Sequence, residues 1–289
     1  MWTQIAQHIS KAIQREFRIK NRRSVNGGCI NQCYSLIGDN ITYFVKTNQA
    51  SQVEMFAAEA LGLKQISNTK TIRVPQPICW GIAERASYIV LEWIEFNGGT
   101  NQSWEEMGRK LAAMHHHQGS DKFGWEQNNT IGSIPQMNIW TDSWADFFAE
   151  NRIGYQLKLA RRRGGNFPEC TQVVEIVKEL LAHRKPQPSL VHGDLWSGNV
   201  AVTQEGEPVI LDPATYYGDH EVDLAMTELF GGFLGVFYRG YNEVFPLDKG
   251  YEKRKTIYNL YHILNHFNLF GGGYGSQVNR MIQKILTSE

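Results

Sequence analysis

The sequence predicts an α+β chain in two unequal parts, a small antiparallel β-sheet carrying a helix, followed by a larger and mostly helical part. Three observations predict it. Strand-forming runs are concentrated before residue 97, helical patterning dominates after it, and the turn Asn97-Gly98-Gly99 separates the two. The parts are read as residues 1–96 and 97–289, and no internal repeat crosses them. A chain of 289 residues is long enough to hide roughly three quarters of its unfolded surface.

Trp2, Ile5, Ile9, Ala12, Ile13 and Phe17 recur at helical spacing and predict a core-facing amphipathic helix. From Ser24 to Thr47 a glycine turn, Asn26-Gly27-Gly28, and the run Ile41-Thr42-Tyr43-Phe44-Val45-Lys46 predict two or three antiparallel strands. Met55 to Ile66 returns to helical composition and stops before Asn68-Thr69-Lys70. Pro75 and Pro77 then break the chain, and Ile78–Ile82 and Tyr88–Ile94 read as two further strands. Beyond the boundary, only Leu190-Val191 and Val209-Ile210-Leu211 read as strands.

Composition narrows the function. The 29 Lys+Arg balance 29 Asp+Glu, which argues against a nucleic-acid binder with a basic face. The segment MWTQIAQHISKAIQREF spreads its charges without an apolar stretch, so it reads as neither signal peptide nor anchor, and the expected location is the cytoplasm. The longest uncharged stretch, Thr256 to Asn279, is broken by Asn, His and four Gly, whereas a membrane span needs about 20 mostly apolar residues. Cys29, Cys33, Cys79 and Cys170 are too scattered for a disulfide scaffold and lack the paired spacing of a zinc site, so reduced thiols are expected.

The chemistry is concentrated in LVHGDLWSGNV, residues 190–200, followed by VILDPA, residues 209–214. His192-Gly193-Asp194 with Asn199 five residues after the Asp has the order of a kinase catalytic loop, and Asp212 after an apolar run stands where a second metal-binding carboxylate would. Phosphoryl transfer requires an oriented hydroxyl and neutralised phosphate charge. Asp194 is therefore the candidate base that accepts the hydroxyl proton. Asn199 and Asp212 offer hard oxygen ligands suited to Mg²⁺. The same cluster could also be an Asx-type turn with its carboxylates bonded to backbone.

The first part contains the counterparts. Lys46 ends a strand and Glu59 lies on the next helix, the pairing that places a lysine on the α- and β-phosphates of ATP, although Glu54 competes with Glu59 for it. Ser24 to Cys33, with Gly27 and Gly28, occupies the place of a loop over the phosphates, where small residues let peptide N–H groups approach the anion. It lacks the Gly-Lys-Ser/Thr of a Walker A motif, and a bare hairpin turn is the competing reading. Glu92, Trp93 and Ile94 fall where a hinge would present peptide groups to adenine, a composition that also suits an ordinary buried strand.

These residues resemble the fructosamine kinases, or ketosamine-3-kinases, in the aminoglycoside phosphotransferase-like branch of the bilobal protein kinase-like fold. The resemblance covers nearly the whole chain. Beyond HGD and DPA it rests on Trp196 in HGDLWSGN, on FGWEQNNTIGSIPQMNIWTDSWADFFAENRIGYQL, on YYGDHEVDLAM and on LYHILNHFNLFGG. It implies ATP-dependent phosphorylation of the third hydroxyl of the sugar moiety in free or protein-bound ketoamines, with ATP and Mg²⁺, and a role in deglycation. His-Gly-Asp lacks the arginine that would clamp a phosphorylated activation segment, and Asp212-Pro-Ala replaces Asp-Phe-Gly, so activation by loop phosphorylation is not expected. Asp223 reads as a carboxylate bracing the catalytic loop.

Trp196, Tyr217, Asp219 and Glu221 are the candidate substrate contacts, because an acidic group would attract the protonated amine of a ketoamine. Arg152 and Gln156, four apart on one helical face, could line the same pocket or face solvent. His115-His116-His117 cannot converge on one ion, since successive helical side chains diverge by about 100°, and a structural role is expected. Arg161-Arg162-Arg163 before Gly164-Gly165 reads as a basic helix end that could also steer a charged substrate. Cys29 in the phosphate loop is a redox candidate: a Cys29 disulfide would join two subunits, and a monomer is the alternative. The rival functions are a kinase for another amino sugar, aminoglycoside or amino alcohol, and a nucleotide-binding pseudokinase regulator.

Overall fold

The computed structural model describes residues 1–26 and 30–287. Gly27, Gly28 and Cys29, on which the phosphate-loop and redox readings fall, lie outside the described residues.

The first part is built around an antiparallel five-stranded sheet in the order β1-β2-β3-β5-β4. Its strands are β1 (Asn21–Val25), β2 (Gln32–Ile37), β3 (Thr42–Gln49), β4 (Pro77–Ala83) and β5 (Ala86–Glu92). Strand alternation sorts the side chains between two cores. Tyr43, Val45, Tyr88 and Val90 face helix α1 (Trp2–Ala12), whose Ile5 and Ile9 are fully buried against them. Ile89, Leu91 and Phe44 face helix α2 (Val53–Asn68) and the larger core. Lys46 is two residues beyond Phe44 and shares its face.

Phe17 is buried with α1 but does not belong to it. The chain leaves the helix at Gln14, which adopts φ +55°, and Ser10 Oγ accepts the Phe17 N–H at 2.9 Å, folding the ring back onto the same core.

At the expected boundary stands β6 (Phe96–Asn97), which pairs with β10 (Val200–Thr203) beside β11 (Pro208–Ile210). Helix α3 (Asn101–His116) follows, its first turn closed by a capping box between Thr100 and Ser103. A short hairpin, β7 (Asn129–Ile131) and β8 (Ile134–Gln136), precedes α4 (Trp144–Asp146), a π-helical stretch over Phe147–Gly154, and α5 (Tyr155–Arg162). Then come α6 (Cys170–Leu181), β9 (Ser189–Val191), β12 (Tyr216–Gly218) paired antiparallel with β9, α7 (Glu221–Leu229), α8 (Gly235–Val244), α9 (Tyr251–Phe270) and α10 (Tyr274–Leu286). Residues 257–265 of α9 are buried on every side, the pattern of a helix at the centre of a core.

Helices α3 and α8 approach so closely that each needs glycine at the crossing. A Cβ on Gly108 would collide with the Phe237 carbonyl oxygen, and one on Gly240 with the Glu105 carbonyl oxygen. Gly108→Ala should therefore lower stability by about 1–3 kcal/mol, read as a fall in melting temperature. An unchanged melting temperature would show that the crossing can open without cost.

Candidate active site

Lys46 is nearly fully buried on β3. Its Nζ donates to Glu59 Oε1 at 2.8 Å and to Asp212 Oδ1 at 2.6 Å. Burial alone would pull the ammonium pKa down, but the charges of Asp212 and Glu59 outweigh it and hold the pKa above the ordinary lysine value. Glu54 sits exposed in the first turn of α2 and takes no part. The pairing is made by Glu59, one helical turn and a half further along.

Helix α2 is pressed onto the Asp212 segment. A Cβ on Gly62 would stand 2.9 Å from Thr215 Oγ1. Trp125 Nε1 donates to Gln65 Oε1, and Gln65 Nε2 to Glu126 Oε1, each at 2.7 Å. These contacts set the position from which Glu59 reaches Lys46. Sequence reasoning missed them, since neither Gly62 nor Gln65 carries a local signature.

Residues 192–199 connect β9 to β10, with a short 3₁₀ turn at Ser197–Asn199. Their backbone is fastened by Asp223 on α7. Its Oδ2 accepts the His192 N–H at 2.6 Å and its Oδ1 the Gly193 N–H at 2.8 Å. His115 Nε2 lies 3.0 Å from the same Oδ2. The bracing read for Asp223 and the structural reading of His115 agree with this geometry.

His192 Nε2 lies 2.7 Å from the Leu211 carbonyl, which can only accept, so Nε2 carries the proton and Nδ1 accepts the Asp194 N–H at 3.2 Å. Burial lowers the His192 pKa and keeps the ring neutral. Gly193, at φ +82°, has no room for a Cβ against the Ala214 carbonyl.

Asn199 Nδ2 donates to the Asp194 carbonyl at 2.8 Å and to its Oδ2 at 3.3 Å. The Leu211 N–H bonds the Asn199 carbonyl at 2.9 Å, which brings Asp212 alongside. The Asp194 carboxyl is pushed up to about 7, first by desolvation and then by the negative charge of Asp212. Asp212 is half-exposed and takes a left-handed backbone, φ +54°. Among the described residues no donor reaches Asn199 Oδ1 or the second oxygen of Asp212. Two open hard oxygens, beside a carboxylate destabilised by like charge, fit a divalent cation.

The hinge reading changes at Glu92. Its N–H donates to the Gln76 carbonyl at 2.9 Å and its carboxylate takes Arg73 at 2.7 Å, so of Glu92 itself only the peptide carbonyl could face a base. No partner for the peptide N–H groups of Trp93 and Ile94 is found among the described residues.

On the acceptor side, Trp196 is exposed and lies over Gly198. Tyr217 is half-buried, its ring 6.0 Å from that of Trp140. Asp219 and Glu221 are not substrate contacts, because both are fully buried and already satisfied. Asp219 accepts Arg184 through both oxygens, at 2.7 and 2.9 Å, and the Tyr258 hydroxyl at 2.8 Å. Glu221 is gripped by Arg254 at 2.8 and 2.7 Å.

Arg152 and Gln156 do not line a pocket either. Arg152 is fully buried, donates to the Met137 carbonyl and to Asn138 Oδ1, and stacks 4.1 Å from the Tyr216 ring. Gln156 bonds Asn265 and Asn268. Arg161, at the end of α5, pairs with Glu169.

At lower identity the bilobal protein kinase-like fold is shared with a choline kinase of Streptococcus pneumoniae, which is 16% identical with a TM-score of 0.66 and covers 100% of this chain and 99% of its own. The profile of the fructosamine kinase family matches residues 1–288, and the chain belongs to that family. A probable ketoamine kinase of Synechocystis sp. is 62% identical over 285 residues, covering 99% of this chain and 97% of its own. A chloroplastic protein-ribulosamine 3-kinase of Arabidopsis thaliana is 46% identical over 268 residues, 91% and 82% of the two chains. The crystal structure of a candidate fructosamine-3-kinase of Haemophilus somnus has a TM-score of 0.95 at 35% identity, covering 99% and 98%.

The Lys46 cluster yields a test. Lys46→Met leaves Glu59 a buried carboxylate without its cation, and stability should fall by about 3–5 kcal/mol. Lys46→Met combined with Glu59→Leu should recover much of that loss in denaturant melts. A double variant no more stable than the single one would mean that the two side chains are not coupled.

Proposed function

We propose that this chain is an ATP-dependent ketoamine kinase that transfers the γ-phosphoryl group to the 3-hydroxyl of the sugar moiety in fructosamine- or ribulosamine-type adducts, free or protein-bound, and so promotes deglycation. Relatives named ketoamine kinase and protein-ribulosamine 3-kinase support the substrate class. The observation that supports the proposal is that Asp212 joins the buried Lys46–Glu59 pair, while Asn199 bonds Asp194 and is tied by its carbonyl to Leu211 next to Asp212. Residues 1–96 serve as the nucleotide lobe and 97–289 as the catalytic and acceptor lobe, and a cytoplasmic location belongs to the same reading.

In this mechanism Lys46 holds the α- and β-phosphates while Trp93 and Ile94 offer peptide groups to adenine. Asn199 and Asp212 would hold Mg²⁺, which supplies neutralisation of the charge developing on the phosphates. The acceptor hydroxyl loses its proton to an Asp194 carboxylate oxygen as its own oxygen bonds the γ-phosphorus. The bond from that phosphorus to the bridging oxygen breaks, and ADP leaves with the electron pair. Trp196 and Tyr217 offer aromatic surface to the sugar and the attached amine.

The decisive assay is phosphate transfer from ATP to a ribose- or fructose-derived ketoamine, with the product position read by NMR. Phosphorylation of amino alcohols or aminoglycosides in its place would overturn the substrate class. Asp194→Asn should lower turnover by about 10²–10⁴-fold while ATP binding persists, and unimpaired turnover would remove Asp194 from the role of base. Asp212→Ala should weaken nucleotide binding more in the presence of Mg²⁺ than without the metal. Equal affinities of variant and wild type in both titrations would remove Asp212 as a ligand.

A further inference from the structure

The block NNTIGSIPQ, residues 128–136, becomes the β7–β8 hairpin, and its register sets Asn129 opposite Gln136. Both side chains are buried, and both reach out of the hairpin to the segment that follows Asp212. Gln136 Nε2 donates to the Ala214 carbonyl at 2.9 Å and to Asn129 Oδ1 at 2.8 Å. Asn129 Nδ2 donates to the Thr215 carbonyl at 2.8 Å.

The acceptor ends of the two amides are also occupied. Tyr261 donates its hydroxyl to Gln136 Oε1 at 2.7 Å, and Asn138 Nδ2 donates to Asn129 Oδ1 at 2.8 Å. A chain of amides satisfied in this way has a single orientation, because each oxygen already faces a donor.

Ala214 is consequently held from both sides. Its N–H donates to the His192 carbonyl at 2.8 Å, and its carbonyl is taken by Gln136. Two residues earlier stands Asp212, at φ +54°. A left-handed backbone at a non-glycine residue carries a cost that its surroundings must offset. The hairpin tip reaches the nucleotide side as well, since a Cβ on Gly132 would lie 3.0 Å from Ile30 Cδ1.

We propose that Gln136 and Asn129 are positioning residues that pin the Ala214 and Thr215 carbonyls and so keep Asp212 in the conformation that turns its carboxylate to the metal. The inference rests on reading Asp212 as a metal ligand. Side chains that orient metal ligands typically contribute about 10–100-fold to metal affinity.

The test is Mn²⁺ binding to the full chain with a non-hydrolysable ATP analogue, followed by electron paramagnetic resonance, alongside metal-free nucleotide binding and the melting temperature. Gln136→Leu, close in size and without the amide, should raise the Mn²⁺ dissociation constant about 10–100-fold and leave metal-free nucleotide affinity unchanged. Wild-type Mn²⁺ affinity in a folded Gln136→Leu protein overturns the inference, as does a lower melting temperature with no change in affinity.

If Gln136→Leu does not fold, Tyr261→Phe removes only the hydroxyl bonded to Gln136 Oε1. It should raise the Mn²⁺ dissociation constant severalfold, and wild-type affinity there overturns the inference too. Asp212→Ala separates the two readings: unchanged Mn²⁺ binding in that variant sinks the ligand assignment, whereas weakened binding there with normal binding in Gln136→Leu sinks the positioning role alone.

Discussion

The structure depends first on a single buried ammonium. Lys46 has almost no access to water, and without partners it would lose its proton before it would stay in place. It remains charged because two carboxylates reach it from different directions, Glu59 on α2 and Asp212 from the opposite lobe. One strand, one helix and the segment around Asp212 are thereby joined through one atom. Asp212 is the half-exposed member, so the cluster has one open end, and there the phosphates of a nucleotide would find a cation already fixed.

The carboxylates elsewhere in the second lobe separate by whether their oxygens are spent. Asp223 gives its oxygens to two peptide N–H groups of the catalytic loop, Asp219 to Arg184 and Tyr258, and Glu221 to Arg254. Each is saturated and holds a piece of backbone or a helix where it belongs. Asp194 and Asp212 are not saturated. A carboxylate acts on a ligand only with a lone pair that the protein has left unused, and that difference separates these two from the paired acids around them.

Much of this was legible along the chain. The order His192-Gly193-Asp194, Asn199 and Asp212 spans a short stretch, and local backbone geometry is enough to bring its members together. The strands of the first lobe were also readable, because a run rich in β-branched and aromatic residues beside a turn is a strong signal, as in β3. The β7–β8 hairpin was not, since three-residue strands are too short to show a period. Phe17 continued the helical spacing of α1 although the chain had already turned at Gln14, because burial on one core looks the same in sequence whether or not the helix goes on. Asp219 and Glu221 misled for another reason. Their partners Arg184 and Arg254 lie 35 and 33 residues away, and nothing local marks an acidic side chain as already paired.

The sequence by itself determined the side chains present and their order: an aspartate with an asparagine five residues on, a second aspartate after an apolar run, a strand lysine and a helix acid, each carried in a local pattern that short-range geometry preserves. Only the tertiary structure decided which of several acids is free to act. Whether Glu54 or Glu59 meets Lys46, and whether Asp219 meets a substrate or Arg184, turns on burial and on partners distant in the chain. A carboxylate's reactivity is a property of what surrounds it, and those surroundings exist only once the chain has folded.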